Sequence, residues 1–337
     1  MNEVTVIIID AAIKAAVMAL VLLTGFAYMT YAERKVIAGI QVRRGPNRIG
    51  PLGLLQPAAD GVKLFLKEDM MPTGADKLMF NLAPIITSIP ALVIMAVIPV
   101  APDWIVNGYT VRFVVADLNV GVLYLLAIGS IAVYGIVLAG WASDSKYSMM
   151  GGLRSTAQVI SYELAFGLSM VGPMLLAQSM SLRDIVHAQE ARGIWFMFLQ
   201  PIGFLLFFIT GLAELNRAPF DMPEAEQELT AGYFTEYSSM RFGMFFMAEY
   251  IKMIAVSGMV VTLYMGGYLG PFVNQFPPLG IAYFSAKVFF LLFTMIWIRG
   301  TLPRLRYDQL MSFGWKFALP VAMLNVLATA IVLVYVM

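Results

Sequence analysis

Long apolar runs recur along this chain, and they constrain its fold more than any other feature. The sequence has 337 residues, of which 60% are hydrophobic and 13% are charged. A soluble domain is about 45–50% apolar and about 25% charged, whereas a run of about 20 apolar residues is long enough to cross a bilayer as a helix. We therefore predict an all-α polytopic membrane protein, with one membrane domain over residues 1–337.

Charge distribution predicts how these runs are oriented. The eight predicted spans are residues 6–31, 78–99, 118–141, 156–176, 195–215, 242–269, 279–298 and 315–336. The loops after the odd-numbered spans hold nearly all the loop lysines and arginines, and the others hold only Arg112, Arg183 and Arg192. Because cation-rich loops stay in the cytoplasm, we expect both termini on the outer, periplasmic side.

The first inner loop, about residues 32–77, is the most basic region. Its turn RRGPNRIGP, from Arg43, contains two glycines and two prolines, which fix a backbone course that charge alone does not require. Residues 51–67 follow with an amphipathic pattern, which predicts an interfacial helix. Two interpretations stay open: the cations orient the first span, or they form the lip of an opening for a lipid-like molecule. The lip would consist of Arg34, Arg43, Arg44 and Arg48.

The third inner loop, about residues 216–241, is acidic. Against Arg217 and Arg241 it carries a run of carboxylates: Asp221, Glu224, Glu226, Glu228 and Glu236. This composition fits a docking surface for a basic soluble partner, a proton-handling surface, or a site for a hard cation.

Three glutamates lie within or at the ends of predicted spans: Glu163, Glu214 and Glu249. A charge at a helix centre costs about 2.5–3.5 kcal/mol on insertion scales, so such residues indicate a shared hydrated interior. Burial or a neighbouring carboxylate raises the pKa of a carboxyl group, as a proton relay requires. The alternative is that each one caps a helix or pairs with a cation; Lys252, three residues after Glu249, is one such cation.

Residue types also limit the cofactors of this chain. With no cysteine it lacks ligands for a cysteine-bound iron–sulfur cluster, and with one histidine it lacks a histidine pair for haem. We expect no FMN, haem, iron–sulfur cluster or metal in this chain, and no nucleic-acid partner.

Several long motifs, in order, carry a family resemblance. They are AERK from Ala32, RRGPNRIGPLGLLQPAADGVKLFLKED from Arg43, GWASDSKYSMMGGLRSTAQVISYEL from Gly140, AELNRAPFDMPEAEQEL from Ala213, TEYSSM from Thr235, FFMAEY from Phe245 and PRLRYDQLM from Pro303. On these motifs the chain resembles, over nearly its whole length, the H subunit of bacterial respiratory complex I, the proton-pumping NADH:quinone oxidoreductase.

The resemblance implies eight spans plus an interfacial helix in the bacterial cytoplasmic (inner) membrane. It implies that the chain forms the entrance and much of the chamber for the quinone substrate. Reduction would occur on neighbouring soluble subunits that carry the terminal iron–sulfur cluster. Other implied partners are small membrane subunits, antiporter-like subunits and lipids.

The resemblance also implies roles for individual residues. Those of the quinone chamber or portal are Glu33, Arg34, Asp60, Phe65, Arg299, Arg304, Arg306 and Asp308, and we add Arg43 and Arg48 from the basic turn. The residues Asp221, Glu224, Glu226 and Glu228 match an acidic coupling loop beside the chamber. The proton relay matches Glu163, Glu214 and Glu249.

The sequence also fits other functions. Similar subunits occur in complexes fed by a reduced deazaflavin and in membrane hydrogenases, and the electron donor binds outside this chain. A secondary transporter would use the glutamates for cation exchange, but paired interrupted spans in two matching halves, the usual pointer to that class, are not evident. A passive anchor would tolerate glutamine at the buried glutamates.

Overall fold

The structure is a computed structural model, and it describes residues 3–106, 109–222, 231–273 and 275–336. In chain order the helices are α1 (Glu3–Ile40), α2 (Gln56–Leu66), α3 (Lys77–Val93), α4 (Gly121–Ala142), α5 (Lys146–Ala177), α6 (Leu182–Arg192), α7 (Phe196–Leu199), α8 (Pro201–Glu214), α9 (Ser239–Tyr264), α10 (Pro278–Thr301), α11 (Tyr307–Phe313) and α12 (Leu319–Val336). A π-helical turn, Gly314–Ala318, joins α11 to α12.

The predicted all-α polytopic class is confirmed. Within the described ranges, seven helical segments are long and apolar enough to cross a membrane. The predicted span at residues 195–215 consists of α7 and α8, which meet at Gln200, and α8 has only 14 residues. Pro201 stands at the start of α8, where a missing N–H is tolerated. The total of eight spans therefore remains a prediction.

Two helices extend past the ends of their apolar runs. Helix α1 continues to Ile40 instead of ending near residue 31, and α5 begins at Lys146, ten residues before the predicted start at residue 156. Hydropathy marks where lipid contact stops, but a helix continues wherever its charged residues have partners or reach water. The extension of α1 places Glu33 and Arg34 on a rigid element.

A short hairpin follows α3 in a predicted outer loop. Strands β1 (Trp104–Val106) and β2 (Tyr109–Val111) are antiparallel. Arg183 at the start of α6 donates hydrogen bonds to Asp103 and Asp117, each at 2.7 Å. Burial lowers the pKa of Arg183, but the two carboxylates outweigh this and raise it above its ordinary value. The loop is thereby fastened to α6.

Small residues allow the central helices to approach closely. A Cβ added at Gly135 of α4 would lie 2.9 Å from the carbonyl oxygen of Ala83 in α3, and one at Gly140 would lie 3.2 Å from Cα of Gly152 in α5. Close backbone approach at glycine is a common packing mode of membrane helices. Helix α9 is the most buried span, whereas α1 and α12 are largely exposed. The candidate site lies around the N-terminal half of α9.

Candidate functional site

A buried ion cluster joins α1, α9, α10 and the loop after α8. Glu33 of α1 and Arg217 of the loop are each only 4% exposed. Arg217 Nη1 donates to Glu33 Oε1 at 3.0 Å and to Oε2 at 3.2 Å. Burying two charges costs free energy unless they are paired and hydrogen-bonded, and the two hydrogen bonds from Nη1 reduce that cost.

Three further side chains complete this ion cluster. Arg299 of α10 also donates to Glu33 Oε1, and Arg217 Nε is in ion-pair contact with Glu249 of α9. Tyr250 donates its hydroxyl hydrogen to Glu33 Oε2 at 2.6 Å, and the Arg217 guanidinium lies 4.3 Å from the centre of the Tyr250 ring. The cluster therefore alternates acid and base from α1 to α9.

The loop that carries Arg217 is held from both sides. Gln158 of α5 donates to the carbonyl oxygens of Ala213 at 2.9 Å and Phe220 at 2.7 Å. The N–H of Leu305 donates to Pro219 O at 3.1 Å. Burial lowers the pKa of Arg217, but Glu249 and Glu33 outweigh it and hold the pKa well above its ordinary value. Arg217 is therefore a permanent cation.

A chamber of about 440 Å³ opens beside the ion cluster. Its polar wall contains Glu33, Arg34, Arg43 and Arg299. Its other wall is mainly aromatic, with Phe234, Phe242, Phe246 and Tyr250. A chamber with one apolar wall and one charged wall suits a ligand that has a polar head and an apolar body.

A second group of ionisable residues lies deeper between α4, α5, α8 and α9. Lys252 Nζ lies 3.5 Å from Glu214 Oε1, and Ser130 donates to Glu163 Oε1. Glu163, Glu214 and Lys252 line one internal cavity of about 20 Å³, which is room for about one water molecule. Glu214 Oε2 is buried beside it without a hydrogen-bond partner in the described part of the chain.

The two groups meet through α9. Glu249 contacts Arg217, whereas Lys252, one helical turn later, contacts Glu214. Glu249 and Lys252 therefore each have a partner of opposite charge on another element. Neither needs the other as an i,i+3 partner within α9. The structure brings Glu163 and Glu214 to one cavity and places Glu249 in the ion cluster.

The basic turn reaches the chamber through Arg43, and helix α2 is connected to it through Arg34. Arg34 donates to Asp60 Oδ2 of α2 at 2.6 Å, which fastens α2 to α1. Phe65 of α2 is 72% exposed and contributes nothing to the chamber wall within the described ranges. Arg43 lines the chamber, and Arg48 lies in the adjoining turn.

The remaining predicted portal residues lie near the start of α11. Arg304 lies 3.9 Å from the sulfur of buried Met222. Arg306 and Asp308 form an exposed ion pair at 3.2 Å. This pair stands apart from the ion cluster. Of the acidic coupling loop, Asp221 is half-buried, while Glu224, Glu226 and Glu228 lie outside the described residues.

Comparison with known proteins decides the family. The family model described as NADH dehydrogenase matches residues 13–330. The chain belongs to the NADH dehydrogenase family. It is 53% identical over 331 residues to the second of the NADH-quinone oxidoreductase H subunits of Geobacter metallireducens, covering 95% of this chain and 94% of the relative.

Other members of the NADH dehydrogenase family are similar over the same extent. The NADH-quinone oxidoreductase H subunit of Thermomicrobium roseum is 52% identical over 320 residues, covering 93% of this chain and 92% of the relative. That of Rhodospirillum rubrum is 52% identical over 313 residues, covering 92% of this chain and 89% of the relative. The resemblance found from the sequence motifs is confirmed.

Sequence reasoning misses the centre of this family member's ion cluster. The sequence marks Arg217 only as a cation of the acidic loop, and its patterns assign no role to Tyr250 or Ser130. One signal is available: Arg217 is the first charge after an apolar run that ends in Glu214. A cation that close to a span is expected to find a buried carboxylate.

Replacing Tyr250 with phenylalanine should lower stability modestly. The change removes one hydrogen bond to the charged Glu33 and keeps the aromatic ring over Arg217. A hydrogen bond to a charged group contributes about 1.5–3 kcal/mol. Thermal unfolding of the purified complex should show a small decrease in Tm. Tyr335→Phe on the exposed end of α12 is the control, and equal Tm values for the two variants would contradict the assigned bond.

Proposed function

We propose that this chain is the membrane subunit of a NADH:quinone oxidoreductase that admits quinone and couples its reduction to proton translocation. The observation that carries the proposal is the contact between the aromatic-walled chamber and the buried Glu33–Arg217–Glu249 cluster. A quinone has an apolar tail and a polar head, which match the two walls. The names of the relatives, which are H subunits of NADH-quinone oxidoreductases, support the same role.

The chain's own residues guide and sense the substrate, and the electrons arrive from neighbouring subunits. Reduction of a quinone to a quinol consumes two electrons and two protons, so charge near the chamber changes in each turnover. Glu33 and Arg299 belong to the polar wall of the chamber, and Arg217 links Glu33 to Glu249. A change in charge at the wall therefore alters the electrostatic interactions of Arg217 with Glu33 and Glu249. Because the surroundings have a low dielectric constant, such interactions are strong.

The response continues along α9. Lys252 lies one turn after Glu249 and contacts Glu214, which shares a cavity with Glu163. A water molecule in that cavity would hydrogen-bond Glu214 Oε2. This series of ionisable residues leads from the chamber to Ser130 of α4, sideways through the membrane. We propose that it transmits the proton or the electrostatic signal toward antiporter-like subunits.

The remaining assignments follow from this role. We place the basic and acidic loops in the cytoplasm and both termini on the periplasmic side of the bacterial inner membrane. Soluble subunits that carry the terminal iron–sulfur cluster would cover the chamber, and Asp221, Glu224, Glu226 and Glu228 keep the coupling role that the family resemblance implies. The electron donor binds outside this chain, so the proposal also holds for a complex that is fed by another donor.

Glu214→Gln should lower quinone reduction while leaving the donor side intact. The variant keeps the side-chain volume but removes the charge that faces Lys252. Coupling networks of this kind respond by about 0.5–2 kcal/mol, or roughly 2- to 30-fold in rate. NADH:quinone reductase activity and proton pumping of the whole complex should fall by that amount. Ferricyanide reduction, which bypasses quinone, should stay unchanged.

Glu68→Gln is the matched control, because Glu68 is an exposed carboxylate that lines neither the chamber nor the internal cavity. Its quinone reductase activity should equal that of the unaltered complex. Unchanged quinone activity and pumping in Glu214→Gln would refute the coupling role. Cation uptake by the isolated chain in liposomes would instead indicate a transporter.

A further inference from the structure

One lysine within the bundle takes no part in the proposed function. Lys287 lies in the third turn of α10 and is half-buried. Its ammonium donates hydrogen bonds to three carbonyl oxygens: those of Met265 at 2.8 Å, Gly267 at 2.9 Å and Leu269 at 2.8 Å. It also lies 4.6 Å from the centre of the Trp195 ring. Because an ammonium has three N–H groups, all of them bind the turn that follows α9.

The backbone of this turn needs such a partner, because it does not continue the helix. Gly266 and Gly267 have φ of +73° and +54°, in the left-handed region that favours glycine. The N–H of Gly267 closes the end of α9 by donating to Val261 O at 2.8 Å. The last carbonyl oxygens of a helix have no partner within it, and they carry partial negative charge. A cation is therefore favoured at this position.

Helix α6 holds the same turn from another side. Gln189 Oε1 accepts a hydrogen bond from the N–H of Gly266 at 2.9 Å, and Gln189 Nε2 donates to Thr262 O at 3.0 Å. A Cβ added at Gly267 would lie 2.8 Å from Cγ2 of Val186. The C-terminal end of α9 is therefore fastened to both α6 and α10.

The other half of α9 carries the charges of the proposed coupling path. Lys252 and Glu249 precede Tyr264, the last residue of α9, by 12 and 15 residues. They lie roughly 18 and 22 Å from it along the helix axis. Their contacts with Glu214 and Arg217 depend on the axial position of α9. A shift of the helix by one residue, about 1.5 Å, would misalign both contacts.

We propose that Lys287 is a positioning residue for coupling, because it fixes the C-terminal end of α9. The helix keeps its axial position while charge changes at its N-terminal half. The signal then passes between the side chains of α9 and its neighbours, and the helix does not slide. This role rests on the coupling function proposed above and adds which part of the path stays fixed.

Lys287→Met in the intact complex should loosen the turn, because methionine fills similar space but donates no hydrogen bond. Hydrogen–deuterium exchange of the Gly267 and Leu269 amides should become roughly 10- to 100-fold faster, as expected when a hydrogen bond to a charged group is lost. Proton pumping coupled to quinone reduction should fall about 2- to 30-fold. Lys14→Met is the control, because Lys14 pairs with Asp10 one turn earlier within α1. It should change neither quantity.

A second variant restores the anchor without the charge. A Cβ added at Gly270 would lie 2.7 Å from Cγ of Tyr283 in α10, so Gly270→Cys/Tyr283→Cys places two sulfur atoms within reach of a disulfide. The chain has no cysteine of its own to compete with this pair. In Lys287→Met, the disulfide should restore slow exchange and pumping. In the presence of Lys287, it should leave quinone reduction and pumping unchanged.

Each comparison uses the same complex before and after reduction of the disulfide, with ferricyanide reduction as the measure of the donor side. Normal exchange or normal pumping in Lys287→Met would overturn the proposal. So would loss of pumping when the disulfide forms beside Lys287, because α9 would then have to move at this end. A disulfide that restores slow exchange in Lys287→Met but not pumping would show that the charge of Lys287 matters and its anchoring does not.

Failure of the coupling function gives a different result. If Glu214→Gln leaves quinone reduction and pumping unchanged, the coupling function itself fails. If Glu214→Gln lowers both while Lys287→Met exchanges faster and pumps normally, only the positioning role of Lys287 fails.

Discussion

Replacing Arg217 with glutamine should destabilise the part of the bundle around the N-terminal half of α9 and abolish quinone reduction. Arg217 is the cation between Glu33 and Glu249, and its side chain is almost entirely buried. Removing one partner of a buried ion pair costs about 3–5 kcal/mol, because the remaining charge stays buried without compensation. Glu33 keeps Arg299 and Tyr250, but the connection from the chamber to α9 is broken.

The measurement is thermal unfolding of the purified complex together with quinone and ferricyanide reduction. Arg217→Gln should show a large decrease in Tm and no quinone reduction, while ferricyanide reduction persists in the complexes that assemble. Arg241→Gln, at the start of α9, is the control, because Arg241 pairs with Asp69 at 3.3 Å in a more exposed position. An exposed pair contributes about 0–1 kcal/mol.

The double variant Glu33→Gln/Arg217→Gln tests whether these two residues interact. It removes both partners of the Glu33–Arg217 pair, so the loss of their contact is counted once and not twice. Its loss of stability should be smaller than the sum of the two single losses, as expected for residues in direct contact. Strict additivity would show that Glu33 and Arg217 do not interact, and a normal Tm in Arg217→Gln would show that the ion cluster contributes no stability.

The fold class is readable from the sequence because a bilayer imposes a length on apolar helices. Apolar runs locate α3, α4, α9 and α10 well, since their ends coincide with polar turns. The break at Gln200 escapes prediction, because residues 195–215 are apolar on both sides of it. Hydropathy reports the preference for lipid and carries no information on where a backbone bends.

Only part of the candidate site can be predicted from the sequence. Glutamates stand out within apolar runs, so Glu163, Glu214 and Glu249 can be identified from the sequence alone. Their partners are not, because pairing depends on how helices cross: Glu33 meets Arg217 across 184 positions of sequence and Arg299 across 266. A local rule favours Glu249 with Lys252, yet tertiary packing gives each a partner on another element.

The close packing between α5 and the end of the acidic loop cannot be predicted from the sequence either, because a sequence does not show which atoms a glycine contacts. A Cβ added at Gly151 of α5 would lie 2.5 Å from Cα of Gly232 and 3.0 Å from the N atom of Tyr233. All three of its nearest contacts are backbone atoms, so no side-chain rotation relieves the overlap. The adjacent residues Ala231 and Phe234 line the chamber.

Gly151→Ala should therefore push this segment away from α5 and deform the chamber wall. Overpacking of a well-packed contact costs about 1–3 kcal/mol, which exceeds the roughly 0.8–1 kcal/mol that alanine gains over glycine in a helix. Gly167→Ala on the same helix is the matched control, because its Cβ would meet only the Leu126 side chain at an ordinary 3.7 Å. The complex with Gly151→Ala should have a lower Tm and a several-fold higher KM for quinone. Gly167→Ala should have an equal or higher Tm and normal kinetics. If the two variants behave alike, the loop is not seated on α5, and the chamber wall built from Ala231 and Phe234 is placed wrongly.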